Sequence, residues 1–68
     1  MRTYWFEWNE VLGGGPSLAR FRLGSKQVMA KVVELRMQGK HVFLVEHYDR
    51  KLGKWVTDLH VPEHARAA

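Results

Sequence analysis

"GSKQVMAKVVELRMQGK", residues 24–40, decides the fold. Stepping about 100° per residue puts Val28, Met29, Val32, Val33 and Leu35 on one broad face. Gln27, Lys31, Glu34 and Gln38 fall on the opposite face. Alternation with period two would scatter charges over both faces, so the segment reads as a helix and not a strand. Ser25 is a good N-cap residue, and Gly39 suits the left-handed position that ends a helix. One residue breaks the pattern: Arg36 falls inside the apolar arc.

On both sides of this helix the period changes to two. Residues 2–11 read as a strand from their aromatic and β-branched content. "GGGPS", residues 13–17, is a turn, because glycine permits positive φ and Pro16 fixes the exit. "LARFRL", residues 18–23, alternates again, so the two segments form a hairpin. A glycine-rich loop that cradles phosphate runs from a strand into a helix and carries a following Lys-Ser/Thr. This loop joins two strands and has no such pair.

"HVFLVEHYDRKLGKWVTDLHV", residues 41–61, forms the second hairpin. "YDRKLGKW" fits a type I turn followed by a left-handed glycine, Gly53. That loop sets Tyr48 opposite Trp55. Counting back, Leu44 faces Leu59, Val42 faces Val61 and Glu46 faces Thr57 on one side. Phe43 faces His60, Val45 faces Asp58 and His47 faces Val56 on the other. Pro62 stops the strand, and residues 62–68 are expected to form a short disordered tail.

The expected fold class is therefore α+β: one domain over residues 1–61, of ββαββ order. A mostly antiparallel four-stranded sheet carries one helix packed on one face. The strand order stays open. If strands 2 and 3 pair in parallel, their crossover through the helix should be right-handed.

Composition narrows the class of function. The chain has 68 residues, no cysteine and three tryptophans. That allows one domain, excludes disulfides and thiolate zinc sites, and leaves a small core that a partner would help. No apolar run is long enough to span a membrane. The first residues are aromatic and acidic, unlike a secretion signal, so a cytoplasmic location is expected. The net charge of +4 and pI near 9.9 raise the weight of a nucleic-acid partner. Residues 25–40 carry most of the excess, and there is no Lys/Arg block.

The helix-side face of the sheet is expected to collect Tyr4, Phe6, Trp8, Phe21, Leu23, Val42, Leu44, Tyr48, Trp55, Leu59 and Val61. Glu46 is the odd member, and it is expected either to meet Arg36 as an ion pair across the helix–sheet seam or to lie with it at the sheet edge and reach water. The other face collects Trp5, Phe43, Val45 and Val56, with Val11 and Leu18. Arg20, Arg22, His47, Asp58 and His60 lie between them. A contiguous apolar patch with polar insertions marks a contact surface.

Two functional readings follow. In the first, a small non-enzymatic accessory or regulatory protein acts through this open face as a protein–protein interface, as a homodimer or with a different protein that its basic surface steers in. In the alternative, the face is a basic nucleic-acid-binding module in which aromatics stack bases and arginines hold phosphates. Either would use Trp5, Arg20, Arg22, Phe43, Val45, His47, Val56, Asp58 and His60. The competing structural reading packs Trp5 on the stem of Arg22 and pairs Glu7 with Arg22.

Chemistry is not indicated. His47, Asp58 and His60 are near neighbours in this register, but they lie on a flat sheet with no nucleophile beside them. His60 and His64 have helical spacing interrupted by Pro62. No metal, cofactor or catalytic residue is assigned. Arg50, Lys51 and Lys54, with Lys40, read as a solvated hairpin tip that could also touch a phosphate.

Overall fold

The computed structural model describes residues 1–10 and 12–65. The elements are β1 (Arg2–Glu10), β2 (Ser17–Leu23), α1 (Val28–Met37), β3 (Lys40–Asp49) and β4 (Lys54–His60). A 3-10 turn, Ser25–Gln27, leads into α1, and another, Glu63–Ala65, follows β4. The expected tail thus begins with a turn, and residues 66–68 lie outside the described residues. Among the described residues no helix is long and apolar enough to cross a membrane.

The sheet order is β2-β1-β3-β4, with every neighbouring pair antiparallel. Strands β2 and β3 do not pair with each other; β1 lies between them, and α1 connects them across it. The chain therefore is α+β with ββαββ order and one helix on one face.

The helix forms where its periodicity requires, but its start differs from the expected cap. Ser25 makes no capping hydrogen bond. Instead the Gln27 side-chain oxygen accepts from the Gly24 backbone N–H at 2.8 Å, closing the first turn from its third position. Gly39 has φ +83, and its N–H reaches Arg36 O at 3.0 Å, as a left-handed terminal residue does.

Val28, Val32 and Leu35 are the buried residues of α1. They pack with Tyr4, Phe6, Trp8, Val42 and Val45 to form the core. Each such side chain contributes roughly 1.5–3 kcal/mol of burial. Met29 and Val33 were expected on the same face, yet both stay exposed. They lie about 100° round the helix from Val28 and Val32, beyond the stripe that meets the sheet, and among the described residues no second layer covers that flank.

The first hairpin has the expected faces. Tyr4 opposes Phe21, Phe6 opposes Ala19, Trp5 opposes Arg20 and Thr3 opposes Arg22. Strand β3 does not keep its alternation. Glu7 opposes Leu44, but Trp8 opposes Val42, so Phe43 is an extra residue in a β-bulge. A second bulge on β4 lies at Asp58, because Glu46 opposes Thr57 while Val45 opposes Leu59. One extra residue exchanges the two faces of everything beyond it.

The exchange corrects nine face assignments, Thr57 moving to the open face with Glu46. Leu44, Glu46, Tyr48 and Trp55 belong to the open face, and Val45, His47, Val56 and Asp58 belong to the helix side. Val45 is fully buried, and His47 is the buried polar residue of the described chain. The Tyr48–Trp55, His47–Val56 and Glu46–Thr57 pairs themselves are as expected. The bulge also separates Glu46 from Arg36. The Arg36 guanidinium instead donates to the Val42 carbonyl at 3.2 Å.

Candidate functional site

The open face is built on β1 at its centre. Trp5 projects from it, half-buried, and three neighbours hold its indole. Its Nε1–H donates to the Glu7 carboxylate at 3.0 Å. The Arg20 guanidinium, directly across on β2, lies 5.8 Å from the ring centroid, within cation–π range. The Trp55 ring meets it edge to face with centroids 6.4 Å apart. Tyr48 meets Trp55 in the same manner at 5.7 Å. The structural pairings expected with Arg22 are corrected: Arg22 opposes Thr3, and Glu7 opposes Leu18.

These rings do not lie on a closed apolar patch. Trp55 is 53% exposed and Tyr48 49%. An edge-to-face contact occupies one ring face where a parallel stack occupies two, so ring faces remain for a flat guest. The three aromatics line an open concavity of about 780 Å³. Its other walls carry Arg2, Arg20 and Arg22 on one side and Arg50 and Lys51 on the other, with Asp49 as the acidic residue. Five cations against one acid favour an anionic guest.

Asp49 does not cancel that excess, because its carboxylate is committed to the hairpin turn. It accepts from the Lys51 N–H at 2.8 Å and the Leu52 N–H at 3.0 Å. Its pKa is held below the usual aspartate value, first by the Leu52 N–H, against an opposing loss of hydration, with the Lys51 N–H and the charges of Arg2 and His47 adding to it. Gly53, at φ +66, donates its N–H to Asp49 O at 2.8 Å and closes the loop. The loop that carries Arg50 and Lys51 is therefore a folded wall of the groove.

The expected site residues divide. Trp5, Arg20 and Arg22 share the groove. His60 lies on the open face opposite Leu44. Phe43, the bulged residue, lines a separate small concavity of about 210 Å³ with Arg36, Val42 and Val61. Val45, His47, Val56 and Asp58 are on the other side of the sheet. There the His47 Nδ1 and an Asp58 carboxylate oxygen are 2.7 Å apart, and the His47 ring meets Tyr4 edge to face at 5.4 Å. The bulge at Asp58 makes that contact, and it parts His47 and Asp58 from His60. Among the described residues no group of three metal-ligating side chains is assembled. Val11 lies outside the described residues.

Tyr48, Trp55 and Arg2 were missed as site residues. A signal for two of them was present. The expected alternation put the charge of Glu46 into the core and needed Arg36 to neutralise it. A bulge before Leu44 removes that conflict and brings Tyr48 and Trp55 out with Glu46. No family model, curated protein or solved structure matches this chain.

Proposed function

We propose that this chain is a non-enzymatic, basic nucleic-acid-binding module that holds a single strand across the open face of its sheet. The observation that carries the reading is the groove itself: half-buried Trp5 with exposed Tyr48 and Trp55 on its floor, and Arg2, Arg20, Arg22, Arg50 and Lys51 along its walls. Bases offer flat π faces and phosphates offer charge, and single-strand binders meet both with this pairing of residue types. An aromatic cluster alone would also suit a quaternary ammonium group. The surrounding cations repel one. The cations come from two strands and a hairpin loop, so they follow an extended backbone rather than one phosphate.

The homodimer reading relied on Val45 and Val56 as apolar members of this face. Both lie on the helix side, and the rings that take their place, Tyr48 and Trp55, are flanked by cations, which favour an anionic partner over a second copy of a basic chain. The two readings separate in one experiment. A uridine heptamer, as RNA and as DNA, is titrated while tryptophan fluorescence is followed at several salt concentrations.

The expected outcome is quenching with a strong salt dependence. Each phosphate contact contributes about −0.7 to the log–log slope on a single strand. Arg20→Ala with Arg22→Ala should reduce the slope by about 1.4. Trp5→Ala should cost about 1–3 kcal/mol while leaving the slope nearly unchanged. Absence of quenching, with sedimentation at twice the 8.0 kDa chain mass, would assign the face to self-association instead.

A further inference from the structure

We propose that Glu46 reads the base and makes guanine the preferred nucleotide at the centre of the platform. This rests on the single-strand reading above and assigns selectivity within it.

The argument begins from a charge in an unfavourable place. A surface that collects phosphates gains nothing from carboxylates, yet besides Asp49, which is tied to its loop, two stand on the same sheet face beside the groove. Glu7 has a structural duty, since it accepts the Trp5 indole N–H. Glu46 has none: it makes no hydrogen bond or ion pair to a described residue. It lies directly opposite Trp5 on β1 and Thr57 on β4, two residues along the same face from Tyr48. A base stacked on Trp5 would bring its edge toward this carboxylate, because directly opposed cross-strand neighbours stand about 5 Å apart.

An ionised carboxylate only accepts hydrogen bonds. Guanine presents two parallel donors on its pairing edge, N1–H and an N2 amino hydrogen, which match the two oxygens. Adenine and cytosine present one amino donor beside a ring nitrogen whose lone pair repels the carboxylate. Uracil presents one N–H between two carbonyl oxygens. Unstacked bases in single strands are read on these edges, and bidentate charge-assisted pairs are the strong ones. The rings bind any base, and Glu46 supplies the choice among them.

The test uses uridine heptamers whose central position is G, A, C or U, bound to the whole chain and to Glu46→Gln. The expected result is that the G heptamer binds the wild-type chain about tenfold more tightly than the others. Glu46→Gln, which keeps the shape but turns one acceptor into a donor, should bring all four within about twofold. Its affinity for the U heptamer should hold or rise, since a negative charge leaves the platform. Salt-dependent binding of all four with equal affinity by the wild-type chain would overturn the role of Glu46 and leave the platform standing. A G preference that survives in Glu46→Gln would overturn it as well. Failure of every heptamer to bind would refute the single-strand reading itself.

Discussion

Asp49 shows how one side chain shapes the site without touching a ligand. Its carboxylate accepts two backbone N–H groups of the β3–β4 loop, and its pKa is lowered for that reason. A group whose folded pKa is depressed adds stability above its unfolded pKa and loses it as pH falls through the folded one. Acid should therefore loosen the loop that carries Arg50 and Lys51. In an NMR pH titration the Lys51 and Leu52 amide signals should move together below the usual aspartate range. Asp49→Ala should abolish that step. Amides that stay fixed through the acid range would show that the loop holds by other means. His47 and Asp58 form the second polar contact of note; plain alternation sets them near each other, but on the open face beside His60 rather than on the helix side. Glu46 and Arg36, expected as an ion pair, stand apart because the bulge turns Glu46 to the open face, and Arg36 donates to the Val42 carbonyl.

Hairpin loops and bulges decide what each strand presents. The loop after β3 was legible from "YDRKLGKW", and Gly53 takes the left-handed φ of +66 that it requires. Nothing lies within 4 Å of a Cβ added there, so a substitution pays for backbone conformation alone. Gly53→Ala should cost about 1 kcal/mol and lower the melting temperature by roughly 4–8 °C. A drop near zero would show that the loop adopts another turn at no penalty. The bulges at Phe43 and Asp58 were not legible in the same way. A bulge depends on which partner residue two consecutive positions share, and that partner is in another strand. Val42 and Val45, both buried three positions apart, betray the bulge only after β1 is set beside β3.

At the scale of the whole molecule, one helix on one sheet leaves a thin core. Among the described residues its eight buried apolar members are Tyr4, Phe6, Trp8, Val28, Val32, Leu35, Val42 and Val45. Chains of this length seldom hold more than about 3–5 kcal/mol of net stability. Phe6 is fully buried and meets Phe21 edge to face at 5.3 Å. Phe6→Ala should cost about 3–5 kcal/mol, which is as much as the fold has. The expected circular dichroism spectrum at 25 °C is that of a largely unfolded chain, with Phe6→Leu folded but less stable. A cooperative, native-like melt for Phe6→Ala would mean that the core extends beyond these residues.

The sequence by itself determined the element order, the helix and its Gly39 end, the faces of the first hairpin and the Tyr48–Trp55 pairing. Those features rest on local periodicity and turn chemistry, which act between residues close along the chain. The tertiary structure decided the strand order, the two bulges and thereby the face on which Glu46, Tyr48 and Trp55 stand. These depend on β1 lying between β2 and β3. Buried residues from distant segments must then fill one helix-side layer, even where a strand has to give up its alternation to do so.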